Sequence, residues 1–137
     1  MNNITIWYPA NVYNSAKIGE GVSIGMFSEI GENVEIGEYT RIGAMSFIPE
    51  GVKIGKNCFI GHRCTFTNDK YPPSGKDGWL RTVIEDGASL GAAVTVICGV
   101  RIGKNALIGA GSVVTKDIPD GARAYGVPAE VVNAQVS

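Results

Sequence analysis

The chain contains one histidine, His62, which is the first residue to consider for proton transfer. Because an imidazole exchanges a proton near neutral pH, it suits a general base that deprotonates an attacking amine or hydroxyl. The alternative is a solvent-facing residue at a bend, since its position in the repeat described below is variable. We favour the functional interpretation because His62 lies shortly before a long irregular segment.

That segment, residues 67–82, is rich in Pro, Gly and charged residues, which predicts a loop outside the regular structure. Long loops in compact domains are usually either functional or disordered. Tyr71 and Trp79 argue against disorder, because aromatic residues in a loop usually cover something. The loop begins with Asn68 and Asp69, which are also ordinary turn residues, so a purely structural role for this pair is the alternative.

The sequence gives little support for a metal site or a catalytic cysteine. The cysteines are Cys58, Cys64 and Cys98, and no CxxC pair is present. A single histidine excludes a zinc site with three imidazole ligands. We therefore predict no metal, and reduced structural thiols that take no part in catalysis.

The elements that must position these groups repeat every six residues. A helix would repeat its apolar face every 3.6 residues and a simple strand every 2, so a period of six predicts a short strand followed by a bend, many times over. Glycine usually follows the aliphatic residue, and the fifth position is small or β-branched. The aliphatic series, closed by Phe66 before the loop and resumed after it, is Val12, Ile18, Ile24, Ile30, Ile36, Ile42, Ile48, Ile54, Ile60, then Ile84, Leu90, Val96, Ile102, Ile108, Val114.

Three such units would form one triangular coil, with each aliphatic residue above its counterpart three units away. Stacked coils would pair as parallel strands about 4.8 Å apart, with the aliphatic ladder inside. We expect the glycines to supply the corners, because glycine tolerates backbone angles that other residues resist. Ile84 lies far enough beyond Phe66 for the ladder to resume in register. The period predicts an all-β solenoid with one external loop.

Composition limits the remaining possibilities. With 137 residues we predict a single domain, 1–137, with repeats over about 12–66 and 84–118, the loop 67–82 and a closing segment 119–137. The formal net charge of -1 argues against nucleic acid as a partner. The chain has no apolar run of about 20 residues for a membrane span and no signal-peptide pattern at its start, which predicts a cytoplasmic protein.

From residue 12 to about 118 the period resembles the hexapeptide-repeat acyltransferase superfamily. The resemblance implies a left-handed parallel β-helix and a homotrimer in which the loop reaches towards a neighbouring subunit. The closing pattern Val-Thr-Lys-Asp-Ile-Pro at 114–119, followed by Gly-Val-Pro-Ala at 126–129, is similar to that of the coenzyme A-dependent members.

The segment Phe-Thr-Asn-Asp-Lys-Tyr-Pro at 66–72 resembles bacterial nucleotide-linked 3-amino-sugar N-acetyltransferases. It implies acetyl transfer from acetyl-CoA to a dTDP- or UDP-3-aminohexose for surface polysaccharides such as lipopolysaccharide. The sequence departs from this family at Pro73, where an arginine is expected. The resemblance places Asn68 and Asp69 near the sugar amine, and they join His62 as predicted catalytic residues. The predicted substrate-binding residues are Phe66, Lys70, Tyr71, Trp79 and Arg81.

For coenzyme A, the resemblance implies a groove between subunits along the C-terminal coils. Backbone groups of Gly91, Ala92, Gly109 and Ala110 would hold the pantetheine. The side chains of Lys116 and Arg123 would bind the phosphates, and Pro128 would pack against the adenine. An amide near Gly91 would stabilise the oxyanion. Two alternatives stay open, O-acetylation of a sugar or small acceptor and a non-catalytic scaffold. The sugar, the nucleotide and the acyl chain are not specified by the sequence.

Overall fold

The computed structural model describes residues 3–76 and 79–132. Strands β1 to β17 have two residues each, because every six-residue unit contributes one outward-facing residue and one aliphatic inward-facing residue before the chain bends. Glu29–Ile30 is representative, with a half-buried glutamate followed by a fully buried isoleucine.

The strands form three sheets, which we call A, B and C. Sheet A has eight strands: β1 (Thr5–Ile6), β4 (Ser23–Ile24), β7 (Arg41–Ile42), β10 (Phe59–Ile60), β13 (Ser89–Leu90), β16 (Leu107–Ile108), β18 (Arg123–Gly126) and β19 (Ala129–Val132). Sheet B has six: β2 (Asn11–Val12), β5 (Glu29–Ile30), β8 (Phe47–Ile48), β11 (Thr65–Phe66), β14 (Thr95–Val96) and β17 (Val113–Val114). Sheet C has five: β3 (Lys17–Ile18), β6 (Glu35–Ile36), β9 (Lys53–Ile54), β12 (Val83–Ile84) and β15 (Arg101–Ile102).

Successive strands alternate between the sheets in the order B, C, A, so the sheets are the faces of a triangular prism. Each strand pairs in parallel with the strand three units later, as in the register Ile24↔Ile42 and Ile30↔Ile48. The fold is the left-handed parallel β-helix that was predicted, with about seven turns. The inward ladder is confirmed, because its members from Ile24 onward are at most 3% exposed.

The described residues of the predicted loop, 67–76 and 79–82, lie at a single corner of the prism, and residues 77–78 lie outside the described part. Phe66 lies on sheet B and pairs with Val96, whereas Ile84 lies on sheet C and pairs with Ile54 and Ile102. The ladder therefore resumes on the next face and in register. The added residues project from the corner without displacing the coils above and below it.

Small polar residues at the fifth position of the unit are buried beside the aliphatic ladder. Their hydroxyls donate to backbone carbonyls of the neighbouring coil, as in Ser28 Oγ to Gly43 O (3.0 Å) and Ser46 Oγ to Gly61 O (3.2 Å). Within residues 3–76 and 79–132, no buried side-chain nitrogen or oxygen lacks a hydrogen-bond partner. Burial raises the pKa of the Cys58 and Cys64 thiols, which keeps them protonated and fits their predicted structural role.

The expectation that the glycines at the second position of the unit supply unusual backbone angles at the corners was wrong. The left-handed backbone conformation falls on the fourth position of the unit, occupied for example by Phe27 (φ 61°) or Gly51 (φ 79°). The glycine at the second position is needed for close approach instead. A Cβ added at Gly61 would lie 2.7 Å from the carbonyl carbon of Gly91 in the next coil.

The two ends of the prism differ from the regular coils. Strand β1 adds a rung before residue 12, so the repeat begins earlier than predicted. At the other end, β18 and β19 form an antiparallel hairpin that buries Ala124 and Ala129. Residues 133–137 of the predicted closing segment lie outside the described residues. Among the described residues, none belongs to a helix long and apolar enough to cross a membrane.

Candidate functional site

Most of the predicted site residues lie on two edges of the prism. The AB edge joins sheets A and B and consists of residues 7–10, 25–28, 43–46, 61–64, 91–94 and 109–112. The BC edge joins sheets B and C and consists of residues 13–16, 31–34, 49–52, the loop 67–82 and 97–100.

The AB edge brings His62 into one row with four of the predicted cofactor residues, Gly91, Ala92, Gly109 and Ala110. His62 is exposed, and its carbonyl oxygen accepts a hydrogen bond from the Ala93 amide at 2.9 Å. One coil further, the Gly111 amide donates to the Ala92 carbonyl oxygen at 2.9 Å.

The coils of this row pack closely, since a Cβ added at Gly91 would lie 2.7 Å from the Ala110 nitrogen. Residues 91–93 and 109–111 are all glycine or alanine, so this part of the AB edge presents mainly backbone.

The BC edge carries the loop, which has internal structure of its own. The Leu80 amide donates to the Asn68 carbonyl oxygen at 3.1 Å, and Asp69 pairs with Trp79 as in an antiparallel ladder. The two ends of the loop are thereby joined where they leave the prism.

The Asp69 carboxylate is engaged within the loop. Its oxygens accept hydrogen bonds from the Ser74 hydroxyl, the Ser74 amide (2.7 Å) and the Tyr71 amide (3.3 Å). These bonds, the Ser74 hydroxyl first, lower the pKa of Asp69. The turn-forming role considered for Asp69 is therefore present in the structure, and its catalytic role stays a prediction.

The loop folds back towards the N-terminal coils and is tied to them by two ion pairs. Lys76 Nζ lies 3.0 Å from Glu50 Oε1, and Arg81 Nη2 lies 3.2 Å from Glu35 Oε2. Trp79 stands between two clefts, which both contain Lys76 and Glu50 in their walls.

We call the one that includes Asn68 the loop cleft. It has a volume of 320 Å³, and its polar and aromatic lining residues include Tyr13, Glu29, Glu32, Glu50, Asn68 and Trp79. Three glutamates therefore line one cleft, and Lys76 is the sole cation among its described lining residues. An acidic, aromatic cleft of this kind is suited to hold a cationic group such as an ammonium.

The sequence interpretation missed the glutamates of the loop cleft, although the period carried a signal for two of them. Glu32, Glu50 and Asn68 all occupy the third position of units on the BC edge, in three successive coils. They therefore form one vertical row. Counting three units back from Asn68 leads directly to Glu50.

Phe66 as a substrate-binding residue was wrong. Its side chain is 0% exposed because it occupies the inward position of β11 and closes the aliphatic ladder. It supports the strand that leads into the loop and has no surface with which to contact a ligand.

The other predicted contacts lie at the surface without converging on one point. Lys70 and Tyr71 are exposed beside each other, with the Lys70 ammonium 5.9 Å from the Tyr71 ring centre. Lys116 follows β17 on sheet B and its ammonium lies 3.3 Å from Glu130, whereas Arg123 is exposed on sheet A. Pro128 is exposed in the turn between β18 and β19.

Within one chain, His62 and Asn68 are therefore not brought together. One occupies the AB edge and the other the BC edge, with strand β11 of sheet B between them. The structure also gives no sign of a metal centre, since in the described part of the chain no three His, Cys, Asp or Glu side chains are grouped to hold an ion.

Two family descriptions match the repeats. "Bacterial transferase hexapeptide (six repeats)" matches residues 15–50 and 81–116, and "Hexapeptide repeat of succinyl-transferase" matches residues 51–67. The chain belongs to the bacterial hexapeptide transferase family. The resemblance inferred from the six-residue period is confirmed.

Three similar proteins within this family are informative. The dTDP-3-amino-3,6-dideoxy-alpha-D-galactopyranose 3-N-acetyltransferase of Aneurinibacillus thermoaerophilus is 45% identical over 51 residues, which are 37% of this chain and 27% of that protein. The bifunctional protein GlmU of Rubrobacter xylanophilus is 48% identical over 52 residues, 38% of this chain and 11% of that protein.

Among solved structures, a histidine-to-alanine mutant of GDP-perosamine N-acetyl transferase from Caulobacter crescentus, in complex with CoA and GDP-perosamine, is 28% identical with a TM-score of 0.83. That match covers 95% of this chain and 56% of the other. The chain thus spans from about a tenth to just over half of the length of these relatives.

Proposed function

We propose that this chain is an acetyl-CoA-dependent N-acetyltransferase that acts on a nucleotide-linked amino sugar, a dTDP- or UDP-3-aminohexose, in the synthesis of surface polysaccharide. The observation that carries the proposal is the acidic, aromatic loop cleft beside Asn68. Two of the similar proteins are named as N-acetyltransferases of amino sugars linked to nucleotides, which supports it. A cytoplasmic location, where acetyl-CoA is available, is part of the same proposal.

In the proposed reaction, the sugar ammonium first loses one proton to water, and the neutral amine nitrogen then attacks the thioester carbonyl carbon of acetyl-CoA. The carbon–sulfur bond then breaks, coenzyme A leaves, and an amide remains on the sugar. His62 or the departing thiolate takes the proton from the nitrogen. The amide side chain of Asn68 and the carboxylates of the loop cleft would orient the acceptor, and a backbone amide near Gly91 would stabilise the oxyanion.

We further propose that the active unit is a homotrimer, because the two halves of the site lie on different edges of one chain. Around a threefold axis, the AB edge of one copy can face the loop of the next. Large apolar side chains are exposed along the N-terminal half of the AB edge, namely Trp7, Met26, Phe27 and Met45. A monomer would leave this row in water, whereas a trimer would cover it.

Coenzyme A would then bind along the C-terminal half of the same edge. Because the glycines and alanines there have such small side chains, the pantetheine amides could reach the backbone. Lys116 and Arg123 would bind the phosphates and Pro128 would pack against the adenine, as the resemblance implies. Because these residues lie on different faces of the prism, the ligand would have to span more than one face.

The test is transfer from acetyl-CoA to a panel of dTDP- and UDP-aminohexoses and GDP-perosamine, followed by thiol release and by the mass of the product. The expected result is turnover of at least one amine and none of its hydroxyl counterpart. Absence of turnover with every amine would overturn the N-acetyl assignment. Turnover of hydroxyl acceptors alone would identify the O-acetyltransferase alternative, and failure to bind coenzyme A in calorimetry would indicate a scaffold.

A further inference from the structure

We infer that Lys76 is a resident cation of the loop cleft, which the protonated amino group of the acceptor displaces when it binds; this inference rests on the proposed function. The Lys76 ammonium lies 3.0 Å from Glu50 Oε1 and 6.0 Å from the centre of the Trp79 ring. A carboxylate and an aromatic face are the two groups that recognise an ammonium ion. Lys76 therefore occupies a site whose chemistry fits an amino sugar.

The lining of the cleft carries negative charge that a resident cation would offset. Glu29, Glu32 and Glu50 line the cleft together, so its wall carries three charges of the same sign. Lys76 offsets part of this charge while the cleft is empty. Hydrogen bonding and attraction to Glu50 raise the pKa of Lys76, so its amine stays protonated.

The Lys76 contact is easily exchanged, because the lysine side chain is 63% exposed and the Glu50 side chain 29% exposed. Exposed ion pairs contribute little net stability. An acceptor ammonium held in addition by the rest of its sugar and nucleotide can therefore replace the lysine, which then swings into solvent.

The loop keeps several contacts when Lys76 leaves Glu50. Its base is joined by the Leu80–Asn68 hydrogen bond, its turn by the Asp69 carboxylate, and its C-terminal end by the ion pair between Arg81 and Glu35. Removing the lysine charge therefore leaves a folded loop with an unoccupied cation site.

The first experiment measures the KM of the best amino-sugar acceptor for Lys76→Met, with Lys76→Gln as a second neutral variant. Both should lower KM about two- to fivefold, the range expected when an exposed competing ion pair is removed, with kcat little changed. Lys76→Arg should behave as the native chain. The matched control is Lys56→Met, which removes an exposed lysine 3.6 Å from Glu38, away from both clefts; its KM should not change.

An unchanged or increased KM in both neutral variants would overturn the inference. An increase would mean that Lys76 itself holds the substrate. This failure is distinct from failure of the proposed function, because the native chain would still acetylate amino sugars. Absence of turnover by the native chain with every amine would overturn both the inference about Lys76 and the proposed function.

A second readout does not use activity. The native chain is labelled with an excess of an amine-reactive reagent, and the ratio of Lys76 to Lys56 modification is measured by mass spectrometry. Saturating dTDP-3-amino-3,6-dideoxygalactose should raise this ratio at least twofold, because displacement frees Lys76, whereas dTDP-6-deoxygalactose with a 3-hydroxyl should not. Equal ratios with both sugars, or a lower ratio with the amine, would contradict displacement.

Discussion

The AB and BC edges belong to the same prism, yet they present different kinds of surface. The C-terminal half of the AB edge follows the six-residue period without interruption and presents backbone between small residues. The BC edge interrupts the period with a loop that presents charged and aromatic side chains. The first surface is fixed by the stacking of the coils, whereas the second is specified by a few contacts within the loop. Changes on the two edges should therefore have separable effects.

The largest expected effect tests whether the two edges meet across a subunit interface. His62→Ala and Asn68→Ala should each lose about a hundredfold in kcat/KM, as expected for a group that handles a proton or positions the acceptor. Unfolding and refolding the two variants together should restore about one quarter of native activity, because random mixing pairs a native AB edge with a native loop at that frequency.

The control for this experiment mixes the same two folded variants without unfolding, which should restore nothing if the trimers do not exchange subunits. Refolded mixtures that stay inactive would show that the two edges do not form a shared site.

The next effect compares one substitution on both edges. Gly91→Ala should weaken coenzyme A binding at least tenfold and cost about 1–3 kcal/mol of stability, because the new methyl overlaps the Ala110 backbone. Gly51→Ala meets nothing within 4 Å but has a left-handed φ, so it should cost about 1–2 kcal/mol and leave coenzyme A binding intact. Calorimetry measures the affinity for coenzyme A, and urea unfolding measures the stability. Equal loss of coenzyme A binding in the two variants would contradict the difference expected between the two edges.

A smaller effect is expected when the loop turn is loosened. Asp69→Ala removes the acceptor of three hydrogen bonds and should raise the KM of the amino sugar about tenfold, since an ordered loop positions the acceptor. The melting temperature and the affinity for coenzyme A should stay native. Asp86→Ala removes a comparable carboxylate, which accepts from the Lys56 amide at 2.8 Å, and should leave the KM unchanged. A native KM for Asp69→Ala would show that the turn is dispensable.

The two cations predicted for the coenzyme A phosphates should differ by only a few-fold. Lys116 already lies 3.3 Å from Glu130, so Lys116→Met should weaken coenzyme A binding about twofold, and Arg123→Met about fivefold. Titration calorimetry at low and moderate salt measures both, and the Arg123 effect should shrink as salt increases. The opposite ranking would indicate that Glu130 releases Lys116 when the cofactor binds.

The smallest effect concerns acid. The folded pKa of Asp69 is lowered, so its contribution to loop order is fully present above the ordinary carboxyl pKa of about 3.9 and is lost as the pH falls through the folded value. In a Trp7→Phe background, the fluorescence of Trp79 should change in that acidic range, and Asp69→Asn should remove the change. A transition at the same pH in Asp69→Asn would assign it to another group.

Most of the fold could be predicted from the sequence because one period governs it. The separation of His62 from Asn68 could also have been predicted, since residues one unit apart occupy neighbouring edges. Phe66 could have been excluded in the same way, because the period already placed it in the ladder. The contacts of Asp69 with Ser74 and of Lys76 with Glu50 could not be predicted, because the loop has no period to set their positions.

Placing the insertion entirely within one corner has a consequence for how such a protein can diversify. The strands before and after it pair with partners in other coils, and the hydrogen bonds of the segment to the sheets are made by its end residues, Thr67 and Thr82. Its length and composition can vary while the scaffold stays the same. Replacing residues 67–82 with an ordinary four-residue corner should yield a folded prism that lacks the loop cleft and keeps the AB edge unchanged.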